Sequence, residues 1–217
     1  MKLDSFLPHL LVELPGVSDP LVKQSLVWEA IDFCQQSQVW QELIEPLTLV
    51  DEQAVYDLDP PVDAQVYLLL DVWVGARQLV PVTLPRQQLQ GTPNWMVSAP
   101  YPTHFKSSAD RQSLTLYPTP LVSLTALAST LQAKVCYTPK PTATTLPDLL
   151  GGRYLRAVCA GVKAGLMAIP DKTWSNPALS AFYRSQFQEG VLQARREMLY
   201  DTSVGGELGV PSRKFGF

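Results

Sequence analysis

The chain has 217 residues, 46% hydrophobic and 17% charged, a globular rather than disordered balance and long enough for one substantial core. A net charge of -3 offers no concentrated Lys/Arg face with which to grip nucleic acid nonspecifically. Three widely spaced cysteines, Cys34, Cys136 and Cys159, lie among apolar neighbours, which suits buried reduced thiols and speaks against a disulfide framework or a zinc site.

The apolar start is broken by Asp4, Pro8, His9 and Glu13, and no small-residue cleavage pattern follows, so no signal peptide is expected. No run approaches the roughly 18 apolar residues of a membrane span, and a soluble chain with no membrane contact is the expectation. Asp4 or Ser5 is placed to cap a short helix carrying Leu7, Leu10, Leu11 and Leu14 on one side, stopped by Pro15-Gly16. Ser18-Asp19-Pro20 then offers a capping side chain and a proline at the first helical position. From there Val22, Leu26, Ala30 and Phe33 keep helical spacing to about Val39, with Lys23, Gln24, Glu29, Asp32 and Gln36 on the other side.

After Trp40 the period changes. Leu47 to Val50, Ala54 to Tyr56 and Gln65 to Trp73 are β-branched, aromatic or alternating, and read as strands. In the longest, Val66, Leu68, Leu70 and Val72 are expected on one face and Tyr67, Leu69, Asp71 and Trp73 on the other. Gly75-Ala76-Arg77 suits a hairpin turn into Gln78 to Val82, and Thr83 a cap over a single turn from Arg86 to Leu89. Further strands are predicted at Trp95 to Ser98, His104 to Lys106, Ser113 to Tyr117 and Leu131 to Tyr137. Most of the 19 prolines lie between Pro60 and Pro147, where no long helix alternates with strands; antiparallel pairing beside helices follows.

Helix returns at Leu146-Pro147-Asp148, with a broad apolar stripe from Leu149 to Leu166 ended by Pro170. Gly161 and Gly165, four apart on its packed side, predict close approach of a neighbouring helix. Ser175-Asn176-Pro177 opens the last helix, with Leu179, Phe182, Tyr183, Phe187, Val191, Leu192 and Met198 expected inward and Arg184, Glu189, Arg195, Arg196 and Glu197 outward. The expected class is α+β. A helical bundle is formed by residues 1–40 and 146–200, a central antiparallel β-rich insertion, a small sandwich or barrel, by 41–145, and an extended C-terminal tail by 201–217.

The tail contains Gly205, Gly206, Gly209 and Gly216, which cost entropy to order. Two readings fit it: a passive end, or a strap that orders on a partner through Val204, Leu208, Val210, Phe215 and Phe217, with Arg213 and Lys214 between them. Its 15 residues from Ser203 reach roughly 50 Å when extended.

Enzyme signatures are missing. His9 and His104 have no carboxylate or cysteine at ligand spacing, and no nucleophile elbow, phosphate loop, zinc-protease or dinucleotide motif occurs. Gly151-Gly152 at a helix start lacks the rest of a phosphate loop. Asp51-Glu52 and Asp57 with Asp59 sit at predicted turns, where acids are ordinary. Tyr56, Tyr67, Trp73, Trp95, Tyr101, Tyr117 and Tyr137 suit a core or subunit interface better than a sugar- or nucleotide-binding sheet. No catalytic residue, cofactor or metal is expected, with a hydrolase or carbohydrate-binding sheet as the minor alternative.

The order of segments resembles the adaptor, or head-to-tail connector, proteins of tailed bacteriophages, including the tail tubular protein A type of short-tailed phages. The likeness runs through Glu13-Leu14-Pro15-Gly16, Asp19-Pro20-Leu21-Val22, Phe33-Cys34, Val39-Trp40, Leu47 to Val50 and Tyr56-Asp57-Leu58. It continues in Leu114 to Pro118, Leu146 to Leu150, Met167 to Pro170, Trp174 to Leu179, Tyr183, Phe187 and Gly190. These phrases concern packing and capping and cover roughly residues 5 to 198. The resemblance implies a structural virion protein made in the bacterial host cytoplasm and placed in the phage neck. It implies a homo-oligomeric ring, usually of twelve subunits, beneath the portal protein, extending the channel through which genomic DNA passes unbound and docking tail or nozzle proteins. It also implies a C-terminal segment that clamps the portal. Another tail component, a tail-completion or tail-tube protein, is the alternative.

Overall fold

The computed structural model describes residues 1–82, 98–121 and 130–200. The predicted turn at Thr83 to Leu89, all but the last residue of the Trp95 to Ser98 strand, and the tail residues Val204, Leu208, Val210, Arg213, Lys214, Phe215 and Phe217 lie outside them.

The chain starts with a 3-10 turn over Leu3–Phe6 that runs into the short helix α1 at Leu7–Leu11. Neither Asp4 nor Ser5 caps it; the Asp4 carboxylate instead meets Lys23 Nζ at 2.5 Å. Helix α2 covers Asp19–Ser37, with extended Ser18 as its N-cap residue but no side-chain capping bond, so Pro20 rather than a cap sets its start. It ends at Gln38, whose backbone is left-handed at φ 55° and whose N–H returns to Cys34 O at 2.9 Å. Val22, Leu26, Ala30 and Phe33 are fully buried, as their spacing predicts, each larger side chain contributing about 1.5–3 kcal/mol.

The middle forms two sheets. One has the order β1 (Gln41–Leu43), β9 (Thr130–Pro139), β4 (Ala64–Val74), β5 (Arg77–Gln78), with β2 (Leu47–Thr48) also on β9. The other runs β3 (Val55–Asp57), β8 (Ser113–Tyr117), β7 (His104–Ser107), β6 (Val80–Pro81). Pairing is antiparallel except between β6 and β7. The predicted strand from Gln78 to Val82 is split. Leu79, buried, bonds back to Val72 O at 2.8 Å, and Val80 then bonds to Thr103 O at 3.0 Å, carrying the chain from one sheet to the other.

The face assignment of β4 is overturned. Two register shifts against β9, between Val66 and Leu68 and between Leu69 and Asp71, each insert a residue and reverse the alternation. The core-facing set becomes Ala64, Val72 and Val74, fully or nearly fully buried, with half-buried Val66 and Leu69 packed on the core, while Leu68 and Leu70, also half-buried, are not part of it. Buried residues of both sheets join those of the helices in one core.

Where the chain leaves the sheets, Asp63 Oδ2 accepts four bonds from the amides and hydroxyls of Thr144 and Thr145, at 2.7 to 3.1 Å. The predicted single stripe from Leu149 to Leu166 is two helices, α3 (Asp148–Gly152) and α4 (Leu155–Met167). Gly151-Gly152 favours the break, since glycine weakens a helix interior, and the break lets Tyr154 turn inward onto Phe33. Helix α5 (Pro177–Tyr200) opens with Asn176 Oδ1 accepting from Leu179 N at 3.1 Å.

Candidate partner-binding surface

Helices α2, α4 and α5 pack against one another as a triangle. Phe33 of α2 touches Phe187 of α5 edge-on and Tyr154 beside α4 at a tilt, with ring centroids 6.0 and 5.3 Å apart. The predicted close approach at Gly161 is present: a Cβ there would lie 2.7 Å from both Glu29 Oε2 and Phe187 Cδ2. At Gly190 it would lie 2.3 Å from the Cβ of Ala157, so α4 and α5 nearly touch there.

Three polar staples hold this triangle. Glu13 accepts from Lys163 Nζ at 2.7 Å and from the Tyr183 hydroxyl, and these bonds, Lys163 foremost, hold its carboxyl below the usual range. Glu29, expected on the solvent side, is tucked over Gly161 and Gly165 and receives Arg184 at 3.3 and 3.5 Å. Burial raises its pKa, and Arg184 opposes that rise. The Tyr154 hydroxyl donates to Glu197 Oε2 at 2.5 Å, beside Arg153 Nε at 3.2 Å. Arg184 and Glu197, expected outward on α5, thus join the packed side.

Other apolar residues are left outside. On α5 the expected inward set shrinks to Phe187 and Val191, joined by Ala194, with Tyr183 and Met198 partly covered; Leu179, Phe182 and Leu192 are exposed. Leu199 and Tyr200, next to the predicted tail, are exposed too. On α2, Trp28 is 61% exposed and Leu21 38%, seven residues apart and opposite the buried stripe. Sequence reasoning passed over Trp28, although a tryptophan on the polar side of an otherwise amphipathic helix was a legible signal.

The sheets enclose an open cleft of about 640 Å³ whose lining includes Asp57, Asp59, Asp110, Arg111 and Lys140. Two of its charges have structural work. Asp110 accepts from Ser108 Oγ and Gln112 N, which lowers its pKa, and Arg111 donates to Tyr67 O at 2.6 Å. Among the described residues no three His, Cys, Asp or Glu groups gather as a metal site.

The family model described as SU10 adaptor protein matches residues 8–206. The chain belongs to the SU10 adaptor protein family. It is therefore a phage adaptor, a structural component of the virion that works among other neck components. No curated protein matches the chain. No described helix is long and apolar enough to cross a membrane. In this SU10-type adaptor two of the phrases that carried the resemblance, Glu13 to Gly16 and Trp174 to Leu179, hold the helices together. Glu13 is a staple, Leu14 is fully buried, and Gly16 turns the chain at φ 86°. The phrase at Trp174 to Leu179 links α4 to α5, with Asn176 N bonded to Met167 O at 3.0 Å.

Proposed function

We propose that this adaptor assembles as a ring, of twelve subunits in the virion, in the neck between the portal protein and the tail. The ring extends the DNA channel and presents a docking surface to tail or nozzle proteins. Family membership over residues 8–206 carries this reading. The exposed apolar residues of α2 and α5 support it, because a closed ring needs two different surfaces on each copy that fit one another. A net charge of -3 suits a channel that must not retain exiting DNA.

In this reading the helical body, 1–40 and 146–200, and the β-rich insertion, 41–145, act as two domains. The tail from Ser203 to Phe217 is the portal clamp, engaging through Val204, Leu208, Val210, Phe215 and Phe217, with Arg213 and Lys214 supplying charge. Leaving such a segment to order only on its partner moves the entropy loss to the moment of assembly. Gel filtration of the adaptor with purified portal tests the clamp. The full chain is expected to co-elute with portal and a chain ending at Thr202 to remain folded but elute alone; equal co-elution of both removes the clamp.

A further inference from the structure

Trp28 is exposed on α2, away from the helix's buried stripe, and a separate groove runs between α4 and α5. That groove, about 340 Å³, is lined by Arg156, Ala157, Gln186, Glu189, Gly190 and Gln193, with Arg153 and Tyr154 at its end. Its floor is the close crossing at Gly190 and Ala157, where Ala157 takes the place a Gly190 side chain would fill and the two helices meet without bulk between them. Arg156 is exposed and makes no hydrogen bond or ion pair among the described residues. An exposed aromatic knob and a groove therefore occupy different surfaces of one subunit.

We propose that Trp28 of one copy seats in the α4–α5 groove of the next, making the head-to-tail contact of the ring. This rests on the ring reading above and names its interface. Charge favours a second copy as the occupant. Outside the ion pairs of the N-terminus with Asp148, Asp4 with Lys23, Glu13 with Lys163, Glu29 with Arg184 and Glu197 with Arg153, residues 1–40 keep Asp19 and Asp32 against Lys2. Residues 146–200 keep Arg156, Lys172, Arg195 and Arg196 against Asp171 and Glu189, so the segment bearing Trp28 has an acidic excess and the segment bearing the groove a basic one. Near Trp28, Asp32 has only the Gln36 amide as a hydrogen-bond partner among the described residues. In the groove, the Arg156 guanidinium suits the face of an indole, and the Glu189 carboxylate or a glutamine oxygen suits its N–H. A tryptophan anchored this way buries roughly 150–250 Å² and is the residue type most often found to dominate an interface. Because knob and groove are different surfaces, the contact repeats from copy to copy and closes only as a ring.

The test uses the full chain with Trp28 replaced by photoreactive p-benzoylphenylalanine, irradiated with portal present and also alone at high concentration. Crosslinks from position 28 to the 153–157 or 186–193 peptides of another copy are expected; crosslinks to portal or to a different adaptor surface, or none between copies, overturn the contact. Trp28→Ala and Arg156→Glu, each checked for folding by circular dichroism, are expected to raise the concentration needed for ring assembly by about 30-fold. Unchanged assembly in both variants also overturns it. If wild-type rings form on portal while position 28 crosslinks elsewhere, this interface fails and the ring survives; if copies crosslink as expected but nothing binds portal, the neck assignment fails instead.

Discussion

Tyr154 shows how a single side chain ties the last helix to the rest. Burial, then the bond to Glu197, pushes its hydroxyl up from 10.0 to about 12. The folded chain thus holds this proton more tightly than the unfolded chain, so its contribution to stability is complete below pH 10 and is lost as pH climbs toward about 12. Urea unfolding across that range is expected to show falling stability, and Tyr154→Phe to flatten part of the fall; an identical slope in the variant would contradict this role. Glu13 works in the other direction. Its lowered pKa gives stability that is present above the ordinary carboxylate value, 4.5, and is lost as acid protonates it. Neither role was legible in the sequence, because Glu13 and Lys163 are 150 positions apart and only the fold brings them together.

At the scale of elements, what was legible was local. Helix α2 was predictable because its period runs unbroken from Pro20 to a left-handed stop, and α5 because Asn176-Pro177 marks its start. The faces of β4 were not, since its two bulges exist only relative to β9, some 60 residues on. On α5 the apolar residues wind over more than one face, and the sequence cannot say that Phe187 is buried while Leu192 is not. The glycines of α3 and α4 make the contrast testable. Gly161→Ala forces a methyl against Glu29 and Phe187 and is expected to cost about 1–3 kcal/mol in chemical denaturation. Gly152, with nothing within 4 Å of its would-be Cβ, is expected to accept alanine with a gain of up to about 1 kcal/mol. Equal effects at the two sites would mean that α4 does not approach α2 and α5 as closely as described.

At the scale of the molecule, a stapled helix triangle carries two cross-connected sheets and leaves part of its exposed apolar surface on the outer faces of α2 and α5. Trp28, Phe182 and Leu199 are exposed, and the proposed ring would cover such side chains at its contacts. The predicted α+β architecture and the adaptor family were readable because packing and capping phrases such as Glu13 to Gly16 and Trp174 to Leu179 are short and contiguous. The residues that distinguish inside from outside were not, because that depends on which helix each one meets. Electron microscopy of the purified adaptor mixed with portal assemblies, beside the adaptor alone, tests the central claim most directly. A ring of adaptor stacked coaxially on the portal is the expected result; portal particles left bare at saturating adaptor would contradict it.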